Sequence, residues 1–96
     1  IVAFKDRGTE EIFDGIDSKV ARKTCPVNLR SVARRKLDQL NAAVSLNDLR
    51  VPPGNKLETL QGARAGQHSI RINDRALDLF VWLEQGADSV EIVDYH

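Results

Sequence analysis

The chain closes on Asp94, Tyr95 and His96, which bring a carboxylate, a phenol and an imidazole together on consecutive positions. Imidazole serves as acid or base near neutrality because its reference pKa is about 6.5. A phenol can donate to a phosphate or stack on a planar base. His96 is therefore the first candidate for proton transfer, with Asp94 orienting or charging it. An α-carboxylate on His96 would favour the protonated ring, which suits a general acid better than a base. The stretch SVEIVDYH reads as a strand, and alternation puts Asp94 and His96 on one face and Tyr95 on the other. All three converge only if the strand loosens at its end. The plain alternative is a polar, frayed tail, since termini order only when something ties them down.

A phosphate chemistry also needs cations, and the charge is unevenly distributed. Formal net charge is zero. Yet Lys19, Arg22, Lys23, Arg30, Arg34, Arg35 and Lys36 follow one another with no acid between them, whereas the stretch from Asp74 onward holds six acids and one cation, Arg75. The basic run could meet a polyanion, or it could be a solvated helix face. No apolar run is long enough to cross a bilayer, and no signal segment opens the sequence. One cysteine, Cys25, excludes an internal disulfide and points to a reducing compartment. With only His68 and His96 beside it, no structural zinc site is expected.

At 96 residues the chain reads as one small domain, 1–96. IVAFKD opens as a short strand. Thr9 is expected to cap a short helix whose first turn holds Glu10 and Glu11 and which ends at Gly15. GIDSKVARKTC reads as a linker. Pro26 fits a helix N1 position, and Leu29, Ala33, Leu37, Leu40 and Val44 recur as one helical stripe. Arg30, Arg34 and Arg35 lie off that stripe, with Lys36 on its border. Ser45 with Asp48 resembles a capping box, and VPPG stops helix. KLETL, HSIRIN, ALDLFVW and SVEIVDY then read as strands that pair antiparallel. The result is an α+β domain with helices on one face of the sheet and the other face free to carry a site.

The order of elements and the stretches VARRKLDQLNAA, LRVPPGNKLETLQG, RAGQHSIRIND and VEIVDYH resemble the HigB-type toxins of bacterial toxin–antitoxin systems, within the RelE superfamily. The resemblance implies a RelE-like fold: an N-terminal strand and two to three helices packed on one face of a mainly antiparallel sheet. It implies a cytoplasmic, ribosome-dependent endoribonuclease that cuts mRNA without metal or other cofactor. It also implies a helix-turn-helix, HigA-like antitoxin, operator DNA met only through the antitoxin complex, and no membrane. Such a cut needs a base for the RNA 2′-OH, cations for the phosphate and an acid for the departing 5′-oxygen. Relatives commonly carry a His, Glu or Lys in the strand and turn matching KLETLQG. Here Glu58 could be the base, and Gln61 stands where many relatives have lysine. Arg64 and Arg71 can supply charge to the free face, with Arg30, Arg34 and Arg35 as further phosphate contacts. For each arginine the ordinary alternative is a solubilising surface cation.

One stretch departs from the family. In relatives the strand matching RALDLFVW reads approximately aromatic–Arg–Ile–Cys–Phe–Arg–Trp, and the arginine after the aromatic residue contributes to catalysis. Here Ala76, Leu77 and Asp78 take the first three places. Alternation puts Ala76, Asp78, Phe80 and Trp82 on the helix-packed face, burying a carboxylate that must protonate or find a partner. Leu77, Leu79 and Val81 then point apolar groups at the phosphate site. Three explanations are open: a bulge that turns Leu77 and Leu79 inward, an inactivated variant, or an error in the stretch. Two functions compete accordingly, a toxin nuclease with activity weakened or lost and a non-catalytic module that binds an antitoxin or the ribosome. A gyrase-directed toxin is a third, against which the terminal Asp94-Tyr95-His96 speaks.

Overall fold

A computed structural model describes residues 1–94 of the chain. Three α-helices come first, α1 (Arg7–Phe13), α2 (Lys19–Thr24) and α3 (Arg30–Ala42). Four strands follow, β1 (Glu58–Thr59), β2 (His68–Arg71), β3 (Ala76–Leu83) and β4 (Gly86–Asp94). They pair antiparallel in sequence order. The core joins Ile12, Ala33, Leu37 and Leu40 of the helices to Ile70, Phe80, Val90 and Ile92 of the sheet. This is the α+β layering that the stripe and the meander predict.

The N-terminal strand is reduced to a single parallel bridge, Phe4 to Val90. Its backbone still runs along β4: Val2 donates to Ala87 O, Val90 donates to Ala3 O and Lys5 donates to Val90 O. The cap of α1 is Asp6, not Thr9, because the Asp6 carboxylate accepts from Thr9 N at 2.7 Å and so starts the helix three residues earlier. Thr9 is thereby buried, and its hydroxyl accepts from Ile92 N at 3.0 Å, continuing the cover of β4's outer edge. Gly15, at φ +78°, closes α1 through bonds from Gly15 N to Ile12 O and Ile16 N to Glu11 O.

The stretch read as a linker contains α2. Its apolar period is too short to see, but Ser18 caps it by accepting from Ala21 N. Pro26 sits at the N-cap of a short 3-10 turn that precedes α3, rather than at N1 of the helix. The α3 stripe holds through Ala33, Leu37 and Leu40 but not Val44, which is exposed. The cause is Asp48, whose carboxylate accepts from Val44 N and Ser45 N and begins the next turn as the expected capping box. Cys25 is fully buried.

A β-bulge does occur, but on β4. Leu79 faces Glu91 and Val81 faces Asp88, so Ser89 and Val90 together oppose Phe80. Ser89 takes the left-handed conformation that this requires, at φ +51°. The bulge lies beyond Leu77 and Leu79 and leaves the alternation of β3 intact through Phe80. It does not turn Leu77 inward.

Candidate functional site

Two rows of side chains cross the helix-free face of the sheet. The register Glu58↔Ser69, Ser69↔Leu79 and Leu79↔Glu91 makes one row, and Arg71↔Leu77 with Leu77↔Val93 makes the next. Glu58 and Arg71 are diagonal neighbours on adjacent strands. With Lys56, Leu60, Ser69 and Leu77 they line an open cleft of about 310 Å³. This is where the chain brings a base, a cation and a free sheet face together.

Each wall has a local cause. The loop before β1 is held by Asn55, which is fully buried. Its amide donates to Gln39 Oε1, Leu49 O and Val51 O, and its carbonyl oxygen accepts from Lys36 Nζ. Lys56, the next residue, turns through the left-handed region at φ +46° and delivers Glu58 to the sheet edge. Arg71 is braced by its Nε donating to Asn73 O at 3.2 Å and by Asp74 at 3.4 Å. Asp74 is almost fully exposed, so that pair is weak and screened. Leu77 sits directly opposite Arg71 and lines the cleft, as alternation predicts.

Arg64 lies elsewhere on this face. It comes from the turn after β1 and reaches Glu91 Oε2 at 3.8 Å, while Lys5 Nζ reaches the same oxygen at 3.0 Å. Asp94 is not with these residues. It pairs with Ala76, whose side chain is buried toward the helices, so the Asp94 side chain leaves from the opposite face to Arg71. Its charge is felt there by the Cys25 thiol, which burial chiefly pushes up in pKa and Arg30 partly draws back. Tyr95 and His96, expected to complete the site, lie outside the described residues.

The basic helix divides in two. Arg30 is mostly buried and committed: it donates to Asp17 Oδ1 at 2.7 Å and to Cys25 O. Arg22 donates to both oxygens of Asp17, and the two guanidiniums together lower the Asp17 carboxyl to about 2. Arg34 and Arg35 are exposed and make no ion pair among the described residues. Lys36, read as bordering the stripe, is buried against Asn55. The expected set of phosphate cations on this helix thus shrinks to Arg34 and Arg35.

Beneath the cleft, Asp78 is fully buried, and among the described residues neither carboxylate oxygen has a hydrogen-bond partner. Burial raises its pKa well above the usual carboxylate range, and the field of Lys36 offsets part of that. Burial likewise lowers Lys36, with Arg35 adding to the effect and Asp78 opposing it. Burial thus disfavours the charged form of both groups, and each one's field partly restores the other's charge. Sequence reasoning found Asp78 by alternation but missed Lys36, Asn55 and Lys5. Only Lys5 had a local signal, the alternation against Phe4.

Among the described residues no group of three or more His, Cys, Asp or Glu is arranged to hold a metal ion. None of the described helices is long and apolar enough to cross a membrane. Residues 2–96 match the sequence model of the HigB-like toxins, described as RelE-like toxins of the type II toxin–antitoxin system HigB. The chain is 37% identical to Toxin HigB-1 of Vibrio cholerae over 84% of its own length and 82% of that protein's. It is 44% identical to an uncharacterized protein of Haemophilus influenzae over 57% of its length and 54% of that protein's. Such a toxin has an antitoxin as its partner. The fold, the free sheet face and these matches agree: the chain belongs to the HigB-like family of RelE-like toxins of type II toxin–antitoxin systems.

Proposed function

We propose that the protein is a ribosome-dependent mRNA endoribonuclease of the cytoplasm, neutralised by a helix-turn-helix, HigA-like antitoxin and meeting operator DNA only through that complex. The observation that carries this reading is the cleft on the helix-free face, where Glu58 and Arg71 stand together beside Ser69 and Lys56. Glu58 takes the proton of a 2′-OH, the 2′-oxygen attacks the adjacent phosphorus, and the bond to the 5′-oxygen breaks. Arg71 offsets the charge that develops on the phosphate, as a fixed donor does in an oxyanion site. His96 gives a proton to the departing oxygen, and Tyr95 donates to the phosphate or stacks on a base. No metal enters these steps. Arg34 and Arg35, exposed on α3, add contacts to ribosomal phosphates.

The experiment adds purified protein to ribosomes programmed with a defined message and maps the cut ends. Removing Tyr95 and His96 is expected to abolish cleavage and leave thermal unfolding unchanged, because the core residues Val90 and Ile92 remain in β4. Cleavage that survives this truncation would exclude the terminal residues from the chemistry. A second reading, a non-catalytic module that still binds antitoxin or ribosome, is favoured by one observation: Leu77 lines the cleft in place of a charged donor. Intact protein that binds ribosomes and cuts nothing would select it.

A further inference from the structure

We infer that Lys5 and Arg64, which meet at Glu91, form a second phosphate subsite beside the cleft, made for the backbone of a single-stranded RNA leaving it. The inference rests on reading the cleft as an RNA site, and extends it across the sheet. Lys5 follows Phe4, which packs inward against the core, so the Lys5 side chain alternates onto the outer face. Glu91 stands on that same face, in one row with Leu79, Ser69 and Glu58. Arg64 approaches Glu91 from the opposite direction, out of the turn between β1 and β2. From β2 to the N-terminal segment is three strand spacings, roughly 14 Å, a span that a short length of RNA backbone covers.

The geometry at Glu91 is that of a replaceable anion. Both cations converge on Oε2, at 3.0 and 3.8 Å, yet among the described residues that oxygen has no hydrogen-bond partner. The carboxylate side chain is 14% exposed, whereas those of Lys5 and Arg64 are 53% and 48% exposed. The cationic side chains are therefore open to solvent above a recessed counter-charge that keeps them in place. A phosphate arriving from solvent can take over the outer side of both cations, and it offers Arg64 the two-pronged contact that Glu91 does not supply. Net charge at this spot is one positive, from two cations and one anion. Removing the anion should strengthen the subsite and removing either cation should weaken it.

The test is fluorescence anisotropy of a 5′-labelled single-stranded RNA hexanucleotide with 2′-O-methyl riboses, which cannot be cut, titrated between about 50 and 200 mM salt. Lys5→Gln and Arg64→Gln should each weaken binding and each reduce the salt slope by about 0.7. Glu91→Gln should tighten binding by up to about fivefold, the scale of one exposed charge pair. Lys5 is exposed and outside the core, so its variant reports even if Glu91→Gln fails to fold. Wild-type affinity and slope in Lys5→Gln, or no tightening in a folded Glu91→Gln protein, would overturn the subsite. If Glu58→Gln and Arg71→Gln alter binding while these variants do not, the cleft stands and only the subsite falls. If wild type shows no salt-dependent binding, the subsite falls, and cleavage on programmed ribosomes decides the cleft separately.

Discussion

Replacing Asp78 by valine is expected to stabilise the protein by roughly 1–3 kcal/mol, the cost of burying one polar group without a hydrogen bond. For a domain of this size each kcal/mol raises the unfolding midpoint by about 4–8 °C. Asp78 is fully buried, with no hydrogen bond to either carboxylate oxygen among the described residues. Its cross-strand neighbours are Ile70 and Ile92, so a β-branched residue fits the row. The same carboxyl makes stability depend on pH. In the unfolded chain it ionises near 3.8, while in the folded protein burial holds the proton to well above that value. Between those limits the folded state binds the extra proton. Stability from this group is complete below 3.8 and falls with rising pH, by up to about 1.4 kcal/mol per unit, until the folded value is passed. Asp17 acts in a separate, lower window: its carboxyl is lowered to about 2, so its contribution is present above 3.8 and lost as pH falls through about 2. Lys36, lowered by burial, acts in the opposite sense in the window just below its ordinary 10.5, where stability would rise with pH. Urea unfolding from pH 4.5 upward, values chosen to lie above the ordinary carboxyl range of about 4, should therefore show wild type losing stability as pH rises. Asp78→Val should flatten that trend. A valine variant that is less stable than wild type, with the trend unchanged, would mean that Asp78 has a partner in solution.

Placing arginine at Leu77 is expected to raise RNA cleavage by roughly 10²–10³, the effect of one preorganised donor at a developing oxyanion. Leu77 already lines the cleft, and the alternation of β3 runs unbroken through it, so a longer side chain at that position extends over Glu58 and Arg71 rather than into the core. The new cation would lie directly across from Arg71, and like charges in that position cost a few tenths to about 1 kcal/mol of stability. Glu58 offsets part of that cost. Cut-end yield on programmed ribosomes measures the gain. A Leu77→Arg protein that folds, binds ribosomes and cuts no faster would show that missing charge is not what limits this chain.

The sequence was most readable where periodicity is long. The stripe from Ala33 to Leu40 and the alternation of β3 placed the layers, and the second of these also exposed the conflict at Asp78. It was less readable where one local bond outweighs a pattern. Asp6 takes the cap that Thr9 also suits, and Thr9 is then free to bond β4, 83 positions away. Ser18 starts a helix too short to show a period. Asp48 reaches back and ends α3 before Val44. The site was half readable. Glu58 and Arg71 meet because a register of two residues pairs β1 with β2, and loop length rather than composition decides that register. Arg30 could not be told from Arg34 and Arg35 by spacing, since its ion pair depends on how the segment before α2 folds back. Asn55 and Lys36 carry no pattern at all, because buried polar pairs are set by tertiary neighbours.

The central claim, that the helix-free sheet face is an RNA-cutting site, is tested most directly by inducing the protein in cells without its antitoxin and mapping message ends across the transcriptome. Wild type should arrest growth and leave new 5′ ends within translated regions, and a Glu58→Gln, Arg71→Gln double variant that folds normally should leave none. Normal growth with intact messages from wild type, or the same cut ends from the double variant, would contradict it.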